Sequence, residues 1–341
     1  MAATIKDVAR RARVSIASVS RALNSSGSVT PEVRRRVLQA AHKLRYVPHA
    51  TARSLISRRT HTVGLLLPDI YGEYFSELIR GVDRAARARG LHLLVSSSHG
   101  NTVAATADAL RSMNGRVDGL LLMSPHADSQ GLEEALPPGL PAVLMNTRAP
   151  GARRPAYIVD DFGGARAVTS HLGSCGYRRI AHIRGPAGNF EAEERLRGYL
   201  AGLGGARALV IDGDFTEESG FQAGRALAAS PTRPQAVFAS NDAMAIGCLF
   251  ALTQAGVRVP GDIALAGFDD VPIARYVSPP LTTVRVDVSA MGRRALERLA
   301  VVIADPDAGG GALETVPVEL VVRASCGADS RPRARRRRRG T

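Results

Sequence analysis

The stretch TIKDVARRARVSIASVSRALN, at Thr4–Asn24, decides the fold of the N-terminal part of the chain. Apolar residues from Ile5 to Ala12 recur at the spacing of one helical face, which predicts a first short helix. Ser15 can cap a second helix, and Thr30, followed by proline and glutamate, has the pattern of a third helix start. Two short helices joined by a tight turn, with a third helix closing their core, form a helix-turn-helix unit.

The charge of the chain is concentrated at its two ends. Residues 1–60 hold 13 Lys and Arg against 2 acids, a net of +11, and residues 331–341 hold seven Arg and no acid. The other residues have a net charge of −4, so the formal charge of +14 describes the ends alone. A basic head on a mildly acidic body indicates a head that binds a polyanion. The arginine tail either adds non-specific DNA affinity or is a tolerated charged terminus.

From residue 62 the apolar pattern changes to short strand-like runs, such as Val63–Leu67, Ala142–Met145 and Ile180–Ile183. Helical segments lie between many of these runs. Strands that alternate with helices and are apolar along their length predict an α/β body with parallel, doubly wound sheets. The number of strands, about nine, indicates two similar lobes rather than one sheet.

These segments resemble the LacI/GalR family of bacterial transcription regulators. Besides Thr4–Asn24, the matching segments are Val29–Leu55, VDGLL at 117–121, GDFTEESG at 213–220, SNDAMAIG at 240–247, GFDD at 267–270 and SPPLTT at 278–283. They occur in the order that the family has. Arg13 departs from the family, which often has glycine in this turn, and a positive φ at Arg13 would cost about 1 kcal/mol.

The resemblance implies a division of the chain into a head, a hinge, two lobes and a tail. The expected bounds are 1–47 for the helix-turn-helix head, 48–60 for the hinge helix, 61–160 with 290–325 for the N-lobe, 161–289 for the C-lobe, and 326–341 for a disordered basic tail. It also implies a homodimer, which would place two heads in successive major grooves of a pseudo-palindromic operator.

By this resemblance the second helix enters the major groove of double-stranded DNA. The expected DNA contacts in the head are Thr4, Ser15, Ile16, Ala17, Ser18, Ser20, Arg21, Asn24 and Thr30. Ile16 and Ala17 can make only apolar contacts with base edges, so Arg21 is the expected polar contact, with guanine. The alternative is that Arg21 touches only phosphate.

The hinge carries a separate prediction. By resemblance, Leu55 acts as an apolar wedge in the minor groove, with Ala52 and Arg53 beside it. The wedge unstacks neighbouring base pairs at an energetic cost, and the bent DNA that results makes more contacts with the protein. The alternative is that Leu55 is an ordinary packing residue at the junction of head and body.

A small effector is expected in a cleft between the two lobes. The expected contacts are Tyr74, Phe75, Asp161, Arg195, Phe215, Asn241 and Asp269. Asp269 follows a strand and can accept from ligand hydroxyls, whereas Arg195 can donate two hydrogen bonds to vicinal hydroxyls or to a carboxylate. Core or helix-capping roles are the alternatives for Asp161, Phe215 and Asn241.

The stretch NFEAEE at 189–194, just before Arg195, indicates the class of effector. Its acids fit a hydroxyl-rich or cationic ligand better than a purine, so a sugar is the expected effector. The chain has no tryptophan, the residue that most often stacks on sugars, which weakens this prediction.

These features together predict a transcription regulator that responds to a small effector. Regulators of this class are most often repressors. The alternatives are a stand-alone solute-binding protein, which needs an export signal, and a DNA binder without effector response. The sequence has no secretory signal, no apolar run of membrane-spanning length and no CxxC pair, so we expect a cytoplasmic protein without a membrane partner. No nucleophile elbow, HExxH or P-loop motif is present. We therefore expect no enzymatic activity, no cofactor and no metal.

Overall fold

The structure is a computed structural model that describes residues 3–24, 29–46, 59–99, 102–126, 129–147, 153–305, 308 and 310–328. The chain divides into two compact units. The first comprises residues 1–62 with 116–118, and the second comprises the remaining residues.

Three helices form the core of the first unit: α1 (Ile5–Ala12), α2 (Ile16–Asn24) and α3 (Pro31–Lys43). Each helix contributes a fully buried valine to this core: Val8 from α1, Val19 from α2 and Val37 from α3. One buried stripe per helix is the arrangement that the apolar spacing predicts. The predicted helix-turn-helix head is confirmed.

Polar caps begin these helices at the expected residues. The backbone N–H and the hydroxyl of Thr4 donate to the Asp7 carboxylate at 3.0 and 2.7 Å. Ser15 Oγ accepts from the Ser18 N–H at 3.1 Å, and Thr30 caps α3. Each cap satisfies a backbone donor that a helix start leaves without a partner, so the sequence fixes where the helices begin.

The turn between α1 and α2 is held by a side chain of α3. Arg13 ends α1 in the left-handed region, with φ +52°, which agrees with the glycine that the family often has in this turn. Arg36 donates to the carbonyl oxygens of Ala12 and Arg13. This contact offsets part of the conformational cost of a non-glycine residue at that position.

The second part of the chain alternates strands and helices. The strands are β1 (Thr62–Leu67), β2 (His92–Ser97), β3 (Gly119–Met123), β4 (Ala142–Met145), β5 (Ala156–Val159), β6 (Ile180–Ile183), β7 (Leu209–Ile211), β8 (Ala236–Ala239), β9 (Ala264–Ala266), β10 (Thr283–Arg285), β11 (Leu313–Val316) and β12 (Glu319–Val321). The helices are α4 (Glu73–Arg87), α5 (Val103–Met113), α6 (Ser129–Ala135), α7 (Asp161–Ser174), α8 (Phe190–Gly202), α9 (Glu217–Ala229), α10 (Asp242–Gln254) and α11 (Val288–Ala304).

The strands form two larger sheets and a short ribbon. The first sheet has the order β11-β5-β4-β3-β1-β2, and the second has the order β7-β6-β8-β9. The pairs of the second sheet are parallel, as are the pairs that β3 forms with β1 and β4. Strands β3, β4, β6 and β8 are buried along their whole length, which explains their continuous apolar sequences. The predicted α/β class with parallel sheets is confirmed.

The chain passes three times between the part of the body that holds the first sheet and the part that holds the second. After β11 the chain returns to the side of the second sheet, where β12 pairs antiparallel with β10 in the short ribbon and Ser325 donates to the Leu265 carbonyl of β9. Residues from β12 onward therefore pack beside the second sheet, whereas the resemblance assigns 290–325 to the N-lobe. Cys326 is buried, and Tyr177 donates to its carbonyl, so the packed chain extends past the predicted start of the tail at 326.

Small residues let the helices of the second sheet pack closely. A Cβ at Gly247 of α10 would collide with the Glu217 carbonyl of α9, and a Cβ at Gly220 would collide with the Met244 carbonyl. Of the helices in the described ranges, none combines the length and the apolar character that crossing a membrane requires.

Candidate functional site

The exposed side of α2 is the candidate DNA-contacting surface of the head. Ile16 is 45% exposed, although it is apolar, and Ser15, Ala17 and Arg21 are exposed beside it. Arg21 Nε donates to the Ala17 carbonyl at 3.3 Å, which holds the arginine along the helix. An exposed isoleucine that contributes nothing to the core is suited to apolar contact with base edges.

The other predicted DNA contacts are placed less directly. Thr4 and Thr30 are exposed at the starts of α1 and α3, and Ser18 and Ser20 are half-buried on α2. Asn24 is the last residue of α2. The hinge residues Ala52, Arg53 and Leu55 lie outside the described residues, so their roles stay predictions.

A cleft of about 530 Å³ lies in the second unit. Six of the seven predicted effector contacts line it: Tyr74, Phe75, Arg195, Phe215, Asn241 and Asp269. They come from α4 beside the first sheet and from the helices and loops at the carboxyl ends of the second sheet's strands. The volume and the mixed aromatic and charged lining are typical of a small-molecule site.

Arg195, on α8, is the centre of this site and is only 3% exposed. Its Nε donates to Asp161 Oδ1 at 2.7 Å, and its Nη1 donates to the Ser240 carbonyl at 2.6 Å. Nη1 also lies 3.3 Å from Asp269 Oδ1, and Nη2 lies 3.7 Å from Glu191 Oε1. One buried guanidinium therefore faces three buried carboxyl groups.

This arrangement changes the protonation of the carboxyl groups. Burial raises the pKa of Glu191 and Asp269 to about 8 and that of Asp161 to about 6, and the charge of Arg195 opposes the rise in each case. Burial acts to lower the pKa of Arg195, but the three carboxyls raise it above its usual value. At neutral pH the site therefore holds a protonated arginine, a mostly ionised Asp161, and carboxyl groups on Glu191 and Asp269 that can donate as well as accept hydrogen bonds.

Asp161 is placed differently from the expected ligand contact. It is the first residue of α7, is 2% exposed, and lies outside the lining of the cleft. Because it accepts from Arg195 Nε, its role in the structure is to orient the guanidinium.

Two aromatic rings lie close to the guanidinium. The Arg195 Cζ atom lies 3.9 Å from the ring centre of Phe268 and 5.7 Å from that of Phe215. Phe215 and Asp269 have φ of +73° and +111°. A positive φ at a non-glycine residue costs of order 1–3 kcal/mol and is found mainly where function requires the geometry.

Asn241 has the helix-capping role that was its alternative. Its Oδ1 accepts from the Met244 N–H at the start of α10, and its Nδ2 donates to the Phe215 carbonyl at 2.9 Å. The amide thus fixes the loop that carries Phe215 while it also lines the cleft.

The sequence analysis missed Asn146 at this site, and it considered Glu191 only as one of the acids in the stretch 189–194. Asn146 directly follows β4 and has φ +44°, and its Nδ2 donates to Glu191 at 2.8 Å and to the Tyr74 hydroxyl at 2.9 Å. The Tyr74 ring meets Phe75 edge-on, with 5.4 Å between ring centres. The only sequence signals were a polar residue at the end of an apolar strand and the acids before Arg195.

In the portion of the chain that the structure describes, no three His, Cys, Asp or Glu side chains are grouped so as to hold a metal ion. The site is built from a guanidinium, carboxyl groups, amides and aromatic rings. Such a set can bind a hydroxylated ligand through hydrogen bonds and ring contacts.

A helix-turn-helix head and a body of two parallel sheets with a ligand-sized cleft define a class: regulators with a DNA-binding domain and a periplasmic-binding-protein-like domain. Comparison with known proteins agrees. Residues 4–49 match the model for bacterial regulatory proteins of the lacI family, and residues 169–326 match that for periplasmic binding protein-like domains. The chain belongs to the lacI family of bacterial regulatory proteins.

The relatives show what kind of protein this is. The ribose operon repressor of Escherichia coli (strain K12) is 38% identical over 324 residues, which cover 93% of this chain and 98% of that protein. A lac repressor dimer, bound to operator and the anti-inducer ONPF, superposes with a TM-score of 0.84 at 28% identity over 96% of this chain and 99% of that one. A complex of the regulator CelR with cellobiose has a TM-score of 0.69 at 33% identity, covering 95% and 99% of the two chains. The protein is thus a DNA-binding transcription regulator, and its relatives are repressors rather than enzymes.

Proposed function

We propose that the protein is a cytoplasmic repressor that binds a pseudo-palindromic operator as a homodimer and is controlled by a sugar in its cleft. The observation that carries this proposal is the buried guanidinium of Arg195 at the base of a cleft with aromatic walls. Hydrogen-bonding groups placed by a rigid scaffold beside ring faces are the features that recognise a sugar. The names of two relatives, a ribose operon repressor and a cellobiose-bound regulator, support the same ligand class.

In this proposal α2 reads the operator. Ile16 and Ala17 contact thymine methyl groups or other apolar base edges, and Arg21 donates to guanine. Thr4, Asn24 and Thr30 contact phosphates and fix the position of the head without reading sequence.

The dimer and the hinge complete the DNA-bound state. The lac repressor relative is a dimer bound to operator, which supports a dimer for this chain. Leu55 from each subunit then enters the minor groove at the centre of the operator, between Ala52 and Arg53. A sugar changes operator affinity only by the difference between its affinities for the two conformations of the body.

Within the cleft, Asp269 and Arg195 bind hydroxyls while Phe75 and Phe215 contact the faces of the sugar. Asp161 acts indirectly, because it orients Arg195. Tyr74 contributes its ring to the wall, and its hydroxyl is already in contact with Asn146.

The experiment begins by selecting bound sequences from a random duplex pool with the purified protein, then measures affinity for the selected operator and for a scrambled duplex. Arg21→Ala should reduce operator affinity by about tenfold or more and relax the preference at one base position, since a bidentate base contact is worth ~1–3 kcal/mol. Arg10→Ala is the matched control, because Arg10 is an exposed cation on α1. Equal losses on both duplexes in Arg21→Ala would assign Arg21 to phosphate instead.

Leu55→Ala tests the hinge in the same assay. We expect a large loss of operator affinity with little change on the scrambled duplex, because only a bent, specific site accommodates a wedge. Equal losses on the two duplexes would contradict the wedge.

A further inference from the structure

The loops at the amino ends of the second sheet's strands are strongly basic. The strands of this sheet, in the order β7-β6-β8-β9, run parallel, so their amino ends meet on one side and their carboxyl ends meet on the side of the cleft. The connections that lead into the amino ends span residues 175–179, 203–208, 230–235 and 255–263. We call these four loops the basic loop surface. They contain five arginines and one acid: Arg178, Arg179, Arg207, Arg233, Arg258 and Asp262.

The loops at the carboxyl ends of the same strands have the opposite balance of charge. They span residues 184–189, 212–216, 240–241 and 267–271, and they contain four aspartates and one arginine. The body as a whole is also mildly acidic. The positive charge of the basic loop surface is therefore a local feature of one side of the second sheet, which the linear sequence does not reveal.

The arginines of the basic loop surface are exposed, and the loops that carry them are in contact. The backbone N–H groups of Arg178 and Arg179 donate to Gln235 Oε1 at 2.8 and 3.1 Å, and Arg179 Nη2 donates to the Arg233 carbonyl at 3.4 Å. These hydrogen bonds hold the loop before β6 against the loop before β8. Arg207 precedes β7, which pairs with β6. The cations therefore form one surface.

The protein neutralises only part of this charge itself. Among the described residues, one ion pair lies within the basic loop surface, between Arg258 Nη2 and Asp262 Oδ1 at 2.8 Å. The hydrogen bond from Arg258 and, to a smaller extent, the charge of Arg233 hold the pKa of Asp262 below its usual value. The remaining guanidinium groups form no ion pair with any residue that the structure describes, namely those of Arg178, Arg179, Arg207 and Arg233. Exposed cations without an internal counter-charge are available to an external anion.

The last residues that the structure describes lie against the same surface. The Tyr177 hydroxyl donates to the Cys326 carbonyl at 3.0 Å, and a Cβ on Gly327 would lie 3.0 Å from that hydroxyl and 3.3 Å from Pro260 Cβ. Tyr177 and Pro260 belong to two of the four loops. The seven arginines of residues 331–341 follow within a few positions. The second concentration of positive charge in the sequence therefore begins beside the basic loop surface.

We propose that the basic loop surface binds the phosphate backbone of a second segment of double-stranded DNA, and that residues 331–341 add to this binding. The protein belongs to a family of DNA-binding regulators, so duplex phosphate is the polyanion that surrounds it. Cations spread over four loops match phosphates repeated along a duplex better than they match one compact anion. Phosphate contacts carry no sequence information, so the second segment needs no particular sequence. The inference does not depend on the effector.

The test measures whether full-length protein held on operator captures another duplex. Operator selected from the random pool is immobilised and saturated with protein, and unbound protein is washed away. A labelled duplex of unrelated sequence is then titrated at several salt concentrations. We expect capture that weakens as salt rises, because each neutralised phosphate contributes ~0.9 to the slope of log affinity against log salt.

The variant Arg178→Gln/Arg207→Gln removes two exposed charges from two of the loops. It should weaken capture at low salt by about tenfold or more and reduce the slope by up to ~2, while the operator retains as much protein as before. Arg111→Gln/Arg293→Gln is the matched control, since it removes the same charge from exposed positions on α5 and α11 and should capture like the parent. Deletion of residues 331–341 should also weaken capture and reduce the slope.

Three results would overturn the proposal. The first is a parent protein that is retained on operator and captures no second duplex. The second is equal capture by the parent and by Arg178→Gln/Arg207→Gln, which would exclude the basic loop surface; loss of capture on deletion of 331–341 alone would then assign the binding to those residues. The third is much tighter capture of a double-stranded RNA of the same sequence, which would replace DNA by RNA as the partner.

Discussion

Replacement of Arg195 by methionine tests how the centre of the cleft is held together. The change keeps an unbranched, flexible side chain that is shorter and uncharged, and it leaves Asp161, Asp269 and Glu191 without their buried cation. Removing one partner of a buried, hydrogen-bonded ion pair costs about 3–5 kcal/mol, because the remaining charge is desolvated without compensation. We therefore expect Arg195→Met to lower the free energy of unfolding of the body by about that amount at pH 8.

The cost should depend on pH in a defined direction. In the parent, burial raises the pKa of Asp161 to about 6, and the positive charge of Arg195 keeps it from rising further. Without Arg195 its pKa rises further, so folded Asp161 retains its proton at a higher pH than in the parent. The penalty of Arg195→Met should therefore increase by about 1.4 kcal/mol per pH unit as the pH rises above 6.

Urea unfolding followed by far-ultraviolet circular dichroism measures both effects. Asp161→Asn is the control that completes a double-mutant cycle. In that background Arg195→Met should cost less and lose most of its pH dependence, since one orphaned carboxyl is gone. A penalty below about 1 kcal/mol, or one that is the same at all pH values and in both backgrounds, would refute the account of the site.

Three further predictions concern the packing, the head and the pH dependence of stability. Gly247→Ala should destabilise the body by about 1–3 kcal/mol, because the added Cβ would collide with backbone atoms of α9. Gly173→Ala is the control: this helical position has open space around its Cβ, so the change should be neutral or stabilising by up to ~1 kcal/mol. Thermal unfolding compares the two variants, and equal effects would contradict close packing of α9 on α10. Arg36→Ala should destabilise the head by about 1–2 kcal/mol through loss of its contacts with two carbonyl groups. Hydrogen exchange in α1 and α2 reports that change, and unaltered protection would exclude the role of Arg36. Burial raises the pKa of Glu191 from 4.5 to about 8, so between these pH values the folded state binds more protons than the unfolded state. The free energy of unfolding therefore falls as the pH rises through this range, by up to ~1.4 kcal/mol per pH unit. Glu191→Gln should remove this contribution and flatten the stability curve measured between pH 5 and 8.

The head could be predicted from the sequence almost to the residue. Short-range signals set it: capping residues such as Thr4 and Ser15 mark helix starts, and apolar spacing marks the buried faces. The positive φ at Arg13 was foreseen only through the resemblance, because the family often has glycine in this turn. The contact of Arg36 with that turn was not, because a side chain that reaches across 23 or 24 positions leaves no local pattern.

The sheets were predicted for the same local reason, but the path of the chain between them was not. Strands such as Ala142–Met145 and Ile180–Ile183 coincide with apolar runs. The third crossing depends on pairing between β10 and β12, which are separated by more than 30 residues, and on a hydrogen bond from Ser325. Pairing of distant strands follows from the whole fold and has no signature in either segment.

The sequence predicted which residues line the cleft better than it predicted what each of those residues does there. Arg195 and Asp269 were expected there and line it. Asp161 was expected to touch the ligand, but the geometry makes it a partner of Arg195. Asn146 was missed, because its function depends on the meeting of two segments from different sheets.

The most direct test of the proposed regulation is the anisotropy of a labelled, selected operator duplex, titrated with protein in the absence and presence of the sugar that binds tightest. The account predicts a change in operator affinity of about fivefold or more on adding the sugar. It also predicts that Asp269→Asn binds operator normally and loses that response. An operator affinity that no sugar changes, in a protein whose cleft binds the sugar, would contradict the proposed control of DNA binding by the cleft.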